Sequence, residues 1–521
     1  MLRFFLLFLF FQFINSANGQ NKLPATYLFD EPPTAIFAQT IFNDTIVCVG
    51  TVFKEGDTIH FQQGAFIAFI DSCGNLIHYR KYFDAQGRDM YLNLSNKIIR
   101  TKDGGYCFLG STGFQNLLIK TDGKGDSIFI REYPFPSGFL YSSFQSIHEI
   151  NNALYVVGYG GTDMPIEDDL FMYKFDQEGN QLDYWRFQTP ENCEYFQDAI
   201  VKGSNIVISV SQTNACVSAF IKSKTKIFEV DTSGNLIWSW VDSGNNFKRG
   251  WGLGLKCTPD GGWIYGGAYS DTIIGTWEYN TLFVTKIDSN RTHEWTRTLG
   301  FPDNNEYNFF KDIAIDAQGD YIITGQYSTG HPDFPDSNPA VSAIVTKISQ
   351  SGEILWNNIV KAYENGPVNG LLMFTNNVNL LSSGNIIIGG YLYRFLPFDL
   401  QNEGWLAKLS PNGEVLDDPD PLCGFVSVKQ PMAEIVNGIH CYPNPADNFI
   451  AFDLNGLPFE IRSGQISIYD LTGKTIEQKV IATYTDNIVV DTRNLADGIY
   501  LYRVVLGQKL IGSGKFIVSK S

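Results

Sequence analysis

Seven times between Ala65 and Asp417 the chain spells a short apolar run, often a lysine, a polar turn and a second apolar run, as in LLIKTDGKGDSIFIREY and KIFEVDTSGNLIWSWV. The turns begin at Asp71, Asp122, Asp176, Asp231, Asp288, Ser349 and Ser410, and step by 51, 54, 55, 57, 61 and 61 residues. Ahead of each lies a second recurring piece, usually closed by glycine: TIVCVG, GGYCFLG, ALYVVG, NIVISV, GGWIYGG, DYIITG and NIIIGG. Three of these pieces follow a turn at Asp103, Asp260 or Asp316. Such a turn reads as a hairpin, in which Asp accepts from backbone amides and Gly supplies positive φ. A further short run can precede it, for example KDIAI before Asp316.

Each unit therefore holds about four strands, and a four-stranded sheet repeated radially is a propeller blade. A solenoid is the competing architecture, but its repeats usually run about 20 to 45 residues. Aromatics at 14% together with 49 Gly agree with an all-β chain. The spacing predicts a seven-bladed β-propeller over residues 20–416, with its variable insertions, such as 328–339, as places for function. The pattern stops at DDPDPLCG, which no central strand would tolerate, so 417–439 reads as an acidic, Pro-containing linker, either a spacer or a point of processing.

Strand patterning resumes from His440 as CYPNPADNFIAFDL, GQISIYDLTGKTIEQKV, NIVVDTRNLADGIYLYRVVLG and GKFIVSK, a small antiparallel sandwich over 440–521. Its ordered motifs are Tyr442, Pro443, Asn444 and Pro445, then Asp470, Leu471, Thr472, Gly473 and Lys474, then Gly498, Ile499 and Tyr500, and finally Gly514, Lys515 and Phe516 with Lys520. In order and spacing these resemble the type A sorting domain that Bacteroidetes-type bacteria use for type IX secretion. The resemblance implies an immunoglobulin-like fold, export through the outer membrane by the type IX secretion machinery, and removal by a sortase-like protease. The seven-unit region is loosely similar to propellers carried as cargo on such domains.

The opposite end fits that route. Arg3 is followed by an apolar run from Phe4 to Ile14, broken by Gln12, and then by small and polar residues, with Ala17 and Gly19 at the positions signal peptidase requires. Residues 1–19 read as a signal peptide cleaved between Gly19 and Gln20. The run falls short of the ~20 residues that span a bilayer, so the mature chain is expected to lack a transmembrane segment. A formal net charge of -17 repels nucleic acid and anionic lipid alike. The expected location is the medium or the outer cell surface, reached through the periplasm.

Oxidising surroundings allow the eight cysteines to pair, but none forms a metal-ligand spacing, and eight admit about 105 connectivities. Cys107, inside an apolar strand, reads equally well as a free buried thiol.

Neither GxSxG nor HExxH occurs, and the six histidines, His60, His78, His148, His293, His331 and His440, are not repeated in register. Acidic groups at Glu167, Asp168 and Asp169, and at Asp303 and Glu306, read as solvated loops, because the separation a glycoside hydrolase needs is not visible in sequence. No cofactor or metal site is expected. Trp185, Trp238, Trp295 and Trp356 recur at one position, which favours blade-to-blade packing over a sugar platform. Insertion aromatics, Tyr133, Phe135, Phe139, Tyr141, Trp277 and Tyr279, are the better binding candidates.

The function expected is a non-enzymatic binding module for a glycan or a protein. The alternative is a carbohydrate-active hydrolase or lyase with carboxylates in the propeller funnel, and a third reading is an adhesive or structural role. Acidic or histidine side chains converging on the channel would favour the enzyme.

Overall fold

The computed structural model describes residues 25–27, 34–54, 62–92, 97–113, 115–162, 167–187, 193–213, 223–242, 254–274, 277–299, 308–329, 340–360, 371–396, 399–416, 441–453, 464–470, 474–481, 487–506 and 509–520. Among them there is no helix, and none long and apolar enough to cross a membrane. Gly19, Gln20 and the 417–439 segment lie outside the described residues. The chain divides into two compact units, Met1–Gly424 and Phe425–Ser521.

The first unit is built of propeller-like antiparallel sheets of four strands each. One comprises Thr34–Phe42, Thr45–Lys54, Gln62–Ile70 and Leu76–Tyr82, and the next Ile99–Arg100, Tyr106–Ser111, Gln115–Thr121 and Ser127–Pro134. Three more run from Tyr141–Ile150 to Gln181–Phe187, from Cys193–Lys202 to Leu236–Val241 and from Leu255–Cys257 to His293–Leu299. An eight-stranded sheet holds two further groups of four, joined by a parallel bridge at Val341 and Leu372. The first group is Phe309–Ile315, Tyr321–Thr329, Ala340–Ile348 and Ile354–Val360. In the second, Leu371–Leu380, Ile386–Leu396 and Asp399–Leu409 are completed by Ala25–Tyr27 from the other end of the unit, with Ala25 opposite Leu406.

The repeated turn joins the third and fourth strands of six groups, and in the last the Ser410 turn leads from Asp399–Leu409 to a single bridge between Leu409 and Val415. Asp71 shows why aspartate opens it: one carboxylate oxygen accepts the amides of Cys73 and Asn75 at 2.9 and 2.8 Å. Asp122, Asp176 and Asp231 do the same for their own turns. The lysine before the turn is explained by the neighbouring hairpin. Lys120 reaches Asp103 at 2.7 Å, Lys286 pairs with Asp260 and Glu294, and Lys347 pairs with Asp316 and Asp320. These lysines are buried or nearly so, and each closes on an acid, which is the condition for placing an ammonium there.

The glycine ending the second strand answers to a bulge in the first. Register slips occur between Ile36 and Ala38, Phe144 and Ser146, Phe196 and Asp198, Phe310 and Asp312, and Thr375 and Asn377. A bulge bends its strand toward its partner. A Cβ at Gly50 would collide with the carbonyl of Ala35, and one at Gly390 with that of Phe374.

Apolar side chains fill the wedge between each group and the next. Phe108 and Ile119 pack with Val49 and Ile67; Phe144 and Phe171 pack with Leu109 and Leu118; the series continues until Leu381, Ile387 and Leu406 pack with Ile36, Ile46 and Phe66. The last sheet group thus meets the first. The tryptophans lie in these wedges: Trp295 donates to Gln350 O at 3.1 Å, and Trp185, Trp295 and Trp356 cover Gly234, Gly352 and Gly413 of the following turns. Trp238 meets Arg291 instead, whose guanidinium lies 4.4 Å from its ring centroid at φ 68°.

The second unit packs a three-stranded sheet, Cys441–Tyr442, Phe449–Asp453 and Asn487–Asp491, on a four-stranded one, Thr475–Ile481, Gly464–Tyr469, Gly498–Leu506 and Lys509–Val518. Ile450, Phe452 and Val490 meet Ile466, Ile468, Tyr502, Val504 and Phe516 in the core between them.

Among the cysteines, Cys48, Cys107, Cys257 and Cys441 are free and Cys73 is disulfide-bonded. Burial pushes the Cys107 thiol up to about 12.

Candidate functional site

The first strands of the sheet groups, five of them bulged, converge on a cavity of about 370 Å³. Every sheet group contributes to its wall, through Gln39, Ile99, His148, Asp198, Lys256, Lys311 and Asn376 among others. A bulge adds a residue with no partner across the ladder and re-aims its neighbours. Lys311 is such a residue, lying between Phe310 and Asp312 in the register, and Asn376 is another.

The cavity gathers three lysines, two aspartates and a histidine. Lys97 forms an ion pair with Asp198 and also donates to Ala199 O at 3.1 Å. Asp198 in addition accepts the amides of Ala199 at 2.7 Å and Leu255 at 2.8 Å. Burial works against its charge, but the Lys97 and Lys256 ammoniums and these hydrogen bonds outweigh it and hold the carboxyl below the usual carboxylate range. Asp312 is similarly engaged, with Lys256 at 3.2 Å and the amides of Ile313 and Val378 at 2.8 and 3.2 Å. Burial opposes the charge of Lys256 too, yet Asp312 and Asp198 raise it above the usual lysine value.

His148 is buried and shares a 2.9 Å hydrogen bond with Ser146. Burial, reinforced by the charge of Lys97, pushes it down to about 3, so it is a neutral imidazole at ordinary pH. Lys311 differs from all of these. Among the described residues no hydrogen bond or ion pair reaches its ammonium, and burial pushes it down to about 8. Gln39, Asn376 and Asn377 each carry a buried side-chain oxygen without a hydrogen-bond partner. The wall therefore offers one cation without a partner among the described residues, beside the partly exposed amide residues Asn377 and Asn379, while both carboxylates are spent.

The other candidates read from sequence fall elsewhere. Asp169 is buried and pairs with Arg186, Nε to Oδ2 at 2.7 Å. Asp303 and Glu306 lie outside the described residues, as do His60, His331 and His440. His78 stacks on Phe69, and His293 bonds Thr296. Tyr133 and Phe139 correct the expectation of insertion aromatics free to bind: both are core, Tyr133 donating to Gly179 O and Phe139 packing beneath Arg186. Phe135 packs in the same cluster, whereas Tyr141 is exposed.

In the second unit the entry and exit motifs meet. Asn444 Oδ1 accepts the Ile517 amide at 2.9 Å, the Ala446 amide donates to Ile517 O at 2.7 Å, and Ser519 returns a bond to Ala446 O at 2.9 Å. Cis peptides precede Pro443 and Pro445. Tyr500 stacks on Phe516 with centroids 5.6 Å apart and donates to Ala496 O. Gly514 lies against the Tyr502 ring, Gly498 opens a strand opposite Val518, and Lys515 is exposed. Asp470 and Lys474 close the middle turn through 3.0 Å bonds, while Leu471, Thr472 and Gly473 lie outside the described residues.

Residues 440–519 match the family of secretion-system C-terminal sorting domains. No curated protein matches the chain in sequence. Among solved structures, an ulvan lyase of a new polysaccharide lyase family is 10% identical, with TM-score 0.48, covering 77% of this chain and 96% of that one. The β-propeller domain of the Trilobed protease from Pyrococcus furiosus is 10% identical with TM-score 0.37, covering 78% and 100%. Extracellular domains 1–2 of Drosophila Semaphorin 1a are 9% identical with TM-score 0.42, covering 74% and 88%. These likenesses are distant and concern the fold, not a ligand. The C-terminal segment is a type IX sorting domain, which addresses the chain to the cell surface or the extracellular space and to the type IX machinery.

Proposed function

We propose that the chain is an exported, non-enzymatic binding protein whose ligand site is the axial cavity. In this reading residues 1–19 are a signal peptide cut before Gln20, and 20–416 are a seven-bladed propeller closed by the strand Ala25–Tyr27. Residues 417–439 are a linker, and 440–521 are an immunoglobulin-like sorting sandwich removed by a sortase-like protease. The blade count is supported by the four-stranded groups and by the packing of the last against the first.

The observation that carries the binding reading is the engagement of both cavity carboxylates by lysines and backbone amides. A carboxylate locked in this way is a poor proton donor or acceptor, and the neutral, buried His148 is bonded to Ser146. What remains uncommitted is suited to holding a polar ligand. The test is a glycan array and calorimetry with the mature protein, followed by Gln39→Ala and Asn376→Ala. Binding that both substitutions weaken supports the cavity; binding that neither alters moves the site elsewhere.

The enzymatic alternative draws on one observation: Asp198, Asp312, His148 and Lys311 do converge on the cavity. Release of new reducing ends or of unsaturated products from acidic glycans, lost in Asp312→Asn, would replace binding with catalysis. Export is tested by comparing intact mass and location of the full chain with a version ending at Gly438 in a host competent for type IX secretion. Release of only the full chain, without its sorting domain, is the expected outcome.

A further inference from the structure

We propose that the axial cavity recognises a negatively charged sugar residue, its anionic group seated on Lys311 and its hydroxyls on the amides around it. This rests on the reading of the cavity as the ligand site and narrows it to one ligand chemistry.

The cavity holds more positive than negative side chains, although the whole chain carries -17. That local reversal is not spread evenly. Lys97 is closed by Asp198 and Lys256 by Asp312, and each aspartate has its remaining capacity taken by backbone amides. Neither acid has spare charge for a third ammonium. Lys311, placed on the bulge between Phe310 and Asp312, is left facing the cavity with no partner among the described residues. Lys311 is partly buried, and an ammonium held partly out of water without a counter-charge carries a cost that an incoming anion relieves.

The rest of the wall selects among anions. Asn377 and Asn379 are partly exposed amides on that wall, whereas the unbonded oxygens of Gln39 and Asn376 lie behind it. Amide groups both donate and accept, which matches sugar hydroxyls better than an aliphatic acid does. Ile99, Ala314 and Ile315, partly exposed on the wall, supply apolar surface for the C–H face of a ring. A cavity of about 370 Å³ lies at the small end of ligand sites, the size for one or two sugar rings rather than a folded partner.

The experiment measures binding of glucuronate, glucose 6-sulfate and glucose to the mature protein by calorimetry and saturation-transfer NMR. Lys311→Gln and Lys311→Arg are tested in parallel, with thermal melts confirming that each variant folds. Glucuronate is expected to bind at least about 10-fold more tightly than glucose, the preference falling below about 3-fold in Lys311→Gln and persisting in Lys311→Arg. Glucose 6-sulfate distinguishes carboxylate from sulfate ester as the source of the charge: parity with glucuronate assigns the site to either anion, and weaker binding assigns it to carboxylates. If glucose binds as well as glucuronate, or if Lys311→Gln keeps the preference, the anionic assignment fails while the cavity as a ligand site survives. If none of the three sugars binds, both are overturned.

Discussion

Two sets of buried or partly buried lysines serve opposite purposes in the first unit. Lys120, Lys286 and Lys347 recur before the repeated turns, and each is closed by the aspartate of a neighbouring hairpin. Lys311 stands once, on a bulged strand at the axis, and closes on nothing among the described residues. The repeated lysines brace the three sheet groups that carry them; the unrepeated one is left without a partner among the described residues. In a repeat fold, features that recur report packing between and within the repeats, and the proposed ligand site stands on a departure from that recurrence.

The sharpest way to break this contrast is at the cavity acid that neutralises two lysines. Asp198→Ala leaves Lys97 without its counter-charge and Lys256 with Asp312 alone, and is expected to cost about 4 kcal/mol in urea unfolding. A loss below about 1 kcal/mol would show that water already screens the pair. Next comes the repeat itself. Gly390→Ala drives a methyl into the carbonyl of Phe374 and should cost about 3 kcal/mol, because the bulged strand cannot retreat without opening its wedge.

The lysines can be compared directly. Lys286→Met strands Asp260 and Glu294 and should cost about 1 kcal/mol, discounted because both acids are partly solvated. Lys311→Met removes an unpaired ammonium and should leave stability unchanged or raise it by up to about 1 kcal/mol. Equal losses in the two variants would refute the distinction between closed and open lysines.

The closed pairs also carry a pH signature. Burial raises the Asp103 and Asp260 carboxyls, but hydrogen bonds from Lys120 and Lys286 pull both down to about 2. A depressed carboxyl contributes stability that is complete above its unfolded value of about 3.9 and is lost as pH falls through its folded value. Unfolding free energies should therefore decline between about pH 4 and pH 2, and Lys120→Met with Lys286→Met should flatten that decline. The smallest effect expected is at Arg291, where glycine would relieve the positive φ but lose the stack on Trp238; Arg291→Gly should shift stability by no more than about 0.5 kcal/mol.

Much of this architecture is legible in sequence because local chemistry repeats. Aspartate at the turn, lysine before the aspartate and glycine at the end of the second strand each answer to a contact that recurs in several of the sheet groups. The tryptophans follow the same logic and pack between groups as their recurrence suggests. The cavity is less legible for a physical reason. Its wall is made by strands as short as Ile99–Arg100 and Leu255–Cys257, too brief to show alternation, and bulges break the two-residue period in five of the others. Lys311 is nonetheless visible as the head of KDIAI, a charged pair inside the strand Phe309–Ile315. The insertion aromatics misled because a variable loop can still tuck its rings inward, as Tyr133 and Phe139 do.

The strand Ala25–Tyr27 has a consequence for how the unit forms. Its three residues pair with Asp399–Leu409, so the last sheet group gains its outer edge only when chain from both ends of the unit is present. Gln39 and Ile387 are bonded across a similar distance in sequence. Such non-local closure makes folding slow and leaves the seam, a short terminal segment, as the first place to open. Amide exchange should be fastest there, so a molecule still travelling to the cell exterior carries its weakest joint at the point where its two ends are stitched together.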